Sequence, residues 1–425
     1  MSLNSNTHWR EESLENIVTS TAIGLVKGSK EQDSSHKYPY IKMHNISNNN
    51  SYNPQKIVKV NATAQEVDKY SLNDGDFLFN TRNSFELVGK SCLYTSRSAR
   101  KVLFNNNIMR IRFSPEIHNK FIAYAFCSDE ILNQLAGMKQ GTTSVSAIYY
   151  KTLKNLKLKF PSLPEQKRIA ALLDSAFADI NKARANAEQN LKNARELFES
   201  FLESYFSGEV GKSAPKSKIS EACESIVDCV NKTAPKVDFE TPFKMIRTTN
   251  VRNGKVNLEK VNFVTEETFN TWTRRQTPER GDLILTREAP MGEVGILDSD
   301  EHVFLGQRLV AYRVNQKKLN NYFLLYAMRS KLVQAQIHAR ASGSTVQHMR
   351  VPDTKLLIIP LPPIAEQLSI VEKLRQAEAY RDQLTDIYSK KLEHLIELKK
   401  SLLHKAFTGQ LSASTAKAAT DGQAA

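Results

Sequence analysis

A chain that carries out catalysis alone places its reactive groups at recognisable spacings, and the residues here do not fall into such patterns. Gly208-Glu-Val-Gly211-Lys212-Ser213 imitates the end of a phosphate-binding loop, but the first glycine of such a loop falls on Phe206. No Gly-x-Gly-x-x-Gly occurs, and the one Pro-Pro pair, Pro362-Pro363, lacks the flanking acidic or amide residue and aromatic ring of an amino-methyltransferase motif. The nine histidines show neither His-x-His nor His-Glu-x-x-His spacing, so no metal site is expected. Glu165-x-Lys167 and Glu397-x-Lys399 match half a nuclease motif, but they lie on predicted helices without a strand-borne Asp and read as solvated helix charges.

What remains is hydrogen-bonding chemistry. Arg forks onto guanine O6 and N7, Asn or Gln pairs both edge groups of adenine, and Lys mostly contacts phosphate. Groups of these types stand in predicted loops: Lys42, His44, Asn45, Thr81, Arg82 and Asn83 in the first half of the chain, and Arg247, Thr248, Thr249, Asn250, Arg252 and Arg287 in the second. Each has a second reading, since Arg82 and Arg287 could brace a loop and Asn45 and Asn250 could satisfy turn backbone. Two further segments, Gly141-Thr142-Thr143-Ser144 and Gly343-Ser344-Thr345, follow helices; they either donate to phosphate or cap and turn the chain.

These candidates recur in pairs because the chain contains itself twice. At an offset of 201 residues, Glu165-Gln166, Leu197, Ser200, Leu202, Phe206 and Gly208 return as Glu366-Gln367, Leu398, Ser401, Leu403, Phe407 and Gly409. Residues 165–210 and 366–411 share 13 identities in 46 ungapped positions, where average composition would give about three by chance. Outside these blocks, Ile41-Lys42 and Asn45 match Ile246-Arg247 and Asn250. Gly75-Asp76, Thr81-Arg82 and Val88-Gly89 match Gly281-Asp282, Thr286-Arg287 and Val294-Gly295, with small shifts of offset as expected for loop insertions. The organisation is a domain and a helix, repeated.

The recurring block reads as a long helix, with apolar residues at three- and four-residue spacing through Ile169, Leu172, Ala176, Ile180, Ala187, Ala194, Phe198 and Tyr205. Pro161 and Pro164 mark its start and Gly208 its end; Pro360, Pro362, Pro363 and Gly409 punctuate the second copy, where Lys391 and Lys405 interrupt the stripe. About 43 residues at ~1.5 Å each give a rod of about 65 Å. A single stripe cannot stabilise such a rod alone, so the two are expected to pair as an antiparallel coiled coil, the second contributing Leu374, Ala377, Leu384, Tyr388, Leu395, Leu398 and Leu402. The rest reads as α+β: strands at 77–80, 87–94 and 108–113 with a helix at 119–138, then strands at 283–286, 294–297 and 309–314 with a helix at 321–341. The expected parts are a first domain at 1–160, a central helix at 161–210, a second domain at 211–363, a C-terminal helix at 364–411 and a disordered tail at 412–425.

Charge assigns a partner to this arrangement. Residues 1–160 hold 21 Lys and Arg against 13 Asp and Glu, and residues 211–363 hold 23 against 16, while 161–210 (6 against 8) and 364–411 (8 against 7) are near neutral. Two basic domains on a neutral spacer suit a polyanion, with double-stranded DNA leading, and two unlike readers on a rigid spacer suit two separated half-sites. The 425 residues and 40% hydrophobic content describe a folded chain. Four cysteines at irregular spacing, a polar N-terminus and the lack of a span of about 18 apolar residues lead to an expected cytoplasmic location without membrane contact.

With these motifs in order, Pro-Ser-Leu-Pro-Glu165-Gln166 and Pro-Leu-Pro-Pro-Ile-Ala-Glu366-Gln367 opening the rods, Tyr-Phe206-Ser-Gly208 and Ala-Phe407-Thr-Gly409 closing them, the chain resembles the specificity subunit of type I restriction-modification enzymes. The resemblance covers residues 1 to about 411. It implies two target recognition domains, each reading half of a bipartite DNA site, with the helix pair as a ruler for the gap. It also implies two modification (methyltransferase) subunits bringing S-adenosylmethionine, and restriction subunits using ATP and Mg2+, with no cofactor in this chain. Two other functions compete: a self-contained DNA-modifying enzyme, and a coiled-coil scaffold that binds nucleic acid without sequence preference.

Overall fold

The computed structural model describes residues 9–48, 50–96, 100–343 and 347–411. Ser344, Thr345 and the expected tail at 412–425 lie outside the described residues. The chain divides into two compact units, one holding the residues up to Asn186 together with those from Lys391 onward, the other Ala187–Lys390.

In the first unit, strands Val18–Ile23, Ile108–Phe113, Phe77–Asn80 and Ser91–Leu93 form an antiparallel sheet in that spatial order. Side chains alternate across a strand. Phe77, Phe79, Met109 and Ile111 therefore face helices Asn119–Ala125 and Asp129–Met138. Leu78, Cys92 and Ile108 face a second layer containing Tyr38–Ile41 and Leu103–Phe104. The second unit repeats the plan. Leu283–Arg287, Met291–Ile296 and Leu309–Val314 lie within a six-stranded sheet. Leu283, Leu285, Val294 and Ile296 pack on helices Asn321–Arg329 and Lys331–Ala339, while Ile284, Leu309 and Ala311 pack on Ile246 and Val303 behind.

Each domain helix expected from the sequence is two helices. Ser128 and Ser330 adopt extended backbone at the breaks, and their hydroxyls donate to the carbonyls of Ala125 (2.7 Å) and Ala327 (2.6 Å). A serine that bonds its own preceding turn ends one helix and opens the next. The strand expected at 87–94 shrinks to Ser91–Leu93 because 85–89 is a turn. Its counterpart runs longer, over Met291–Ile296.

The long helices are α1, Leu163–Glu203, and α2, Ile364–Phe407. α1 runs into a π-type turn over Ser204–Glu209 that is kinked at Gly208 (φ −96°, ψ −109°), and a last helical turn follows at Val210–Ser213, so the stretch that imitates a phosphate loop spans a kink between helical turns. In the first unit Ile169, Leu173, Phe177 and Ile180 of α1 share a core with Leu403, Ala406 and Phe407 from the end of α2. In the second, Phe198, Leu202 and Phe206 share one with Ile370, Val371 and Leu374 from its start. Opposite ends meet, so the pair is antiparallel. The buried stripe is not wholly the expected one. Leu173 replaces Leu172, which is exposed, as is Leu398; Lys391 and Lys405 are also exposed and interrupt nothing.

Candidate nucleic-acid interface

The loops that carry the candidate residues hang from a frame that both copies build alike. Gly75 and Gly281 take positive φ (80° and 94°), which glycine adopts without strain. They turn the chain so that Asp76 and Asp282 point inward. Each carboxylate then accepts a forked pair of bonds from one arginine of the sheet, at 2.7 and 3.0 Å from Arg112 and at 3.0 and 2.8 Å from Arg313. These bonds hold both guanidinium groups above their ordinary pKa. Neither arginine was singled out in the sequence, although Arg112 recurs as Arg313 at the same offset of 201 as the helix identities.

Gln166 and Gln367 join each domain to its long helix and are buried. Glu165, read above as a solvated charge, is instead 7% exposed and held by Arg168 through two bonds of 2.8 Å. Its equivalent Glu366 is exposed, and Ser369 stands where the arginine would be.

On this frame the candidates separate into braces and free groups. Asn45 is buried. Its amide oxygen accepts from Lys42 N–H and its nitrogen donates to the carbonyls of Asn53 and Gln55, all at 2.9 Å. Asn250 repeats this with Arg247, Asn257 and Lys260. Both asparagines thus shape the loop after the strand. Lys42 donates to Gln32, the exposed His44 ring lies 3.3 Å from the Lys56 carbonyl, and Arg252 is turned back onto the carbonyls of Thr248 and Val251. Arg247 and Thr249 are exposed, and the Arg247 guanidinium has no partner among the described residues.

A second group assembles from segments far apart in sequence. Arg82–Asn83 pairs with Ser146–Ala147, which pairs with Gln140–Gly141, so Thr81, Arg82 and Asn83 share one small sheet with the Thr142-Thr143 turn. Asn83 donates to Asn80 at 2.9 Å and accepts from Ser84 N–H, bracing this corner. Thr142 closes its own turn through Val145 N–H. Arg82 is exposed, and its guanidinium makes no bond among the described residues. Lys90 stitches this group to the Asn45 loop by donating to the Ile46 carbonyl at 2.8 Å, and burial lowers its pKa.

The second domain differs at this point. Arg287 is tied to the Met349 carbonyl at 3.0 Å, its Nε is buried without a partner, and Glu288 beside it forms an ion pair with Arg308. The two copies therefore share a frame and present different polar surfaces. Among the described residues there is no group of three or more His, Cys, Asp or Glu that could hold a metal ion. All four cysteines are free thiols, and burial pushes Cys92 and Cys223 up to about 12. No described helix is long and apolar enough to cross a membrane.

Two α+β domains, each joined to one of two long antiparallel helices, define a class of fold that solved structures share. A structure reported for complex assembly and conformational transition of the type I R-M system matches with TM-score 0.73 at 19% identity, covering 94% of this chain and 97% of that one. The HsdS subunit from Thermoanaerobacter tengcongensis matches with TM-score 0.58 at 18% identity, covering 97% and 99%. In sequence, the chain is 23% identical over 335 residues to the type I restriction enzyme EcoBI specificity subunit of Escherichia coli, covering 73% of this chain and 70% of that protein. It is 26% identical over 301 residues to the MjaVIII specificity subunit of Methanocaldococcus jannaschii, covering 68% and 70%. The profile of the type I restriction modification DNA specificity domain matches twice, at residues 6–189 and 216–394. The chain belongs to this family, and its role is DNA sequence specificity in a type I restriction-modification system.

Proposed function

We propose that residues 1–160 and 211–363 each read one half of a bipartite site in double-stranded DNA, that the helices at 161–210 and 364–411 fix the gap, and that two modification subunits dock on them. The observation that carries this reading is the pairing of a common frame, Asp76–Arg112 and Asp282–Arg313, with unlike surfaces around Arg82 and Arg287. A protein that reads two different half-sites needs identical placement and different contacts. Arg82, Thr142 and Thr143 in the first domain and Arg247, Thr248 and Thr249 in the second are the proposed contacts. Ser344 and Thr345 complete the second set, while Lys42, His44, Asn45, Asn83, Asn250, Arg252 and Arg287 hold the reading loops in shape.

The docking proposal rests on Leu197 and Leu398. They are identical across the repeat, yet both are exposed, so packing within this chain does not account for the identity. Beside Leu197 lies an apolar groove of about 320 Å³ lined by Phe198, Phe201, Ala377, Tyr380 and Leu384. In this reading the chain is a non-catalytic cytoplasmic subunit. S-adenosylmethionine belongs to the modification subunits, and ATP and Mg2+ to restriction subunits.

Selection from a random duplex pool by the chain assembled with its modification subunit tests the reading. Two conserved blocks separated by an unspecified gap of one length are expected. A single block, or none, contradicts it.

A further inference from the structure

Phe85 is presented in a way that its own fold does not require. Its backbone is held at both ends: the N–H donates to the Thr143 carbonyl at 3.0 Å, and the carbonyl accepts from Lys139 Nζ at 2.7 Å. The residues before it are stapled, with Asn80 donating to the carbonyls of Arg82 and Asn107 and Asn83 donating to Asn80. Yet Phe85 is 45% exposed, and Val145, in the turn of the same small sheet, is 59% exposed. Scattered exposed apolar residues are ordinary on a protein surface. Two of them on one braced element, with the cations Arg82 and Lys139 on the same element, are not scattered. The Lys139 ammonium lies 4.7 Å from the Phe85 ring centre.

The neighbouring charge selects the occupant. An apolar protein partner would have to bury Arg82 and Lys139, whereas a DNA duplex offers phosphates to both and, between them, one apolar feature in the major groove, the thymine methyl. The second domain has no equivalent: its matched segment after Thr286-Arg287 runs Glu288-Ala289-Pro290, with Glu288 paired to Arg308. Building on the reading that residues 1–160 contact one half-site, we propose that Phe85 packs against a thymine methyl in that half-site and so selects an A·T pair at one position. Lys139 contacts a flanking phosphate, and Arg82 lies in the same half-site.

The test uses the full chain assembled with its modification subunit and duplexes carrying its selected site. Replacing thymines of the first half-site one at a time by deoxyuridine removes only the methyl. At one position, affinity of the wild-type complex is expected to fall on the order of tenfold. Phe85→Ala should lower affinity for the thymine duplex by a similar factor, become insensitive to deoxyuridine at that position, and keep the second half-site. Its salt dependence should be unchanged, because an apolar contact releases no counterions, whereas Lys139→Ala should reduce the slope by about one. Phe85→Leu should retain most of the selectivity. If no thymine is sensitive in the wild type, or Phe85→Ala remains as sensitive as wild type, the assignment is overturned. A wild-type complex that prefers no sequence at all overturns the half-site reading itself.

Discussion

Gln166 and Gln367 occupy one and the same hydrogen-bonded position in the two units. Gln166 accepts from His118 N–H at 2.9 Å and donates to the carbonyls of Pro161 (2.9 Å) and Glu116 (3.1 Å). Gln367 accepts from Asn320 N–H at 2.8 Å and donates to the carbonyls of Pro362 (2.8 Å) and Lys318 (2.9 Å). One buried amide thereby ties the first turn of each long helix to the loop that opens its domain's helical layer. These bonds anchor each domain to the first turn of its long helix.

Gln166→Ala and Gln367→Ala should each destabilise the unit concerned by about 3 kcal/mol, since each strands a buried N–H and two carbonyls. Denaturant unfolding followed by hydrogen exchange in each unit checks this. Equal loss in both units from one substitution would contradict it.

Acid should loosen the first unit before the second. Burial first, then Lys167 and Lys120, lower the pKa of His118 below its ordinary 6.5, against the pull of Asp174. The folded state thus favours neutral imidazole, and the unfolded chain binds the proton more readily. Stability from this group is complete above pH 6.5 and declines as pH falls toward the lowered folded value. Melting temperatures between pH 7.5 and 5.5 should show a decline for wild type that His118→Asn reduces.

Removing the free guanidinium of Arg82 should act on the first half-site alone. For Arg82→Ala, affinity should fall by about 1–3 kcal/mol if the contact is to a base, with relaxed selectivity at that position, and the second block should be untouched. Duplex selection with the variant complex distinguishes this from a uniform loss across all sequences, which would place Arg82 on phosphate.

Leu197→Glu and Leu398→Glu should each weaken the docking of one modification subunit and leave the fold intact, because both side chains already face solvent. Native mass spectrometry of the assembled complexes is expected to show two modification subunits for wild type and one for either variant. Full occupancy in both variants would remove the helix faces as docking sites.

The long helices, their antiparallel pairing and the two-domain plan were legible because burial writes itself into spacing. Ile169, Leu173, Leu202 and Phe206 recur as Ile370, Leu374, Leu403 and Phe407, and all eight are buried. Hydrogen-bonded partners left a weaker trace. The Gly-Asp motifs were visible as a repeat, but their arginines stand 36 and 31 residues further on, and only the shared offset linked them. Among the candidate readers, residue type could not separate Asn45, consumed by its own loop, from Arg82, left free. That difference depends on where a chain's backbone groups find partners, which no short motif records.

The most direct test of the account is a genome-wide map of N6-methyladenine in a methylation-free bacterial host expressing this chain with its modification subunit, compared with a variant carrying about one helical turn of added residues in both α1 and α2. The account predicts two half-sites and one gap length for the wild type, with the same half-sites and a longer gap for the variant. An unchanged gap in a folded variant, or methylation without a bipartite pattern in an assembled wild-type complex, would contradict it.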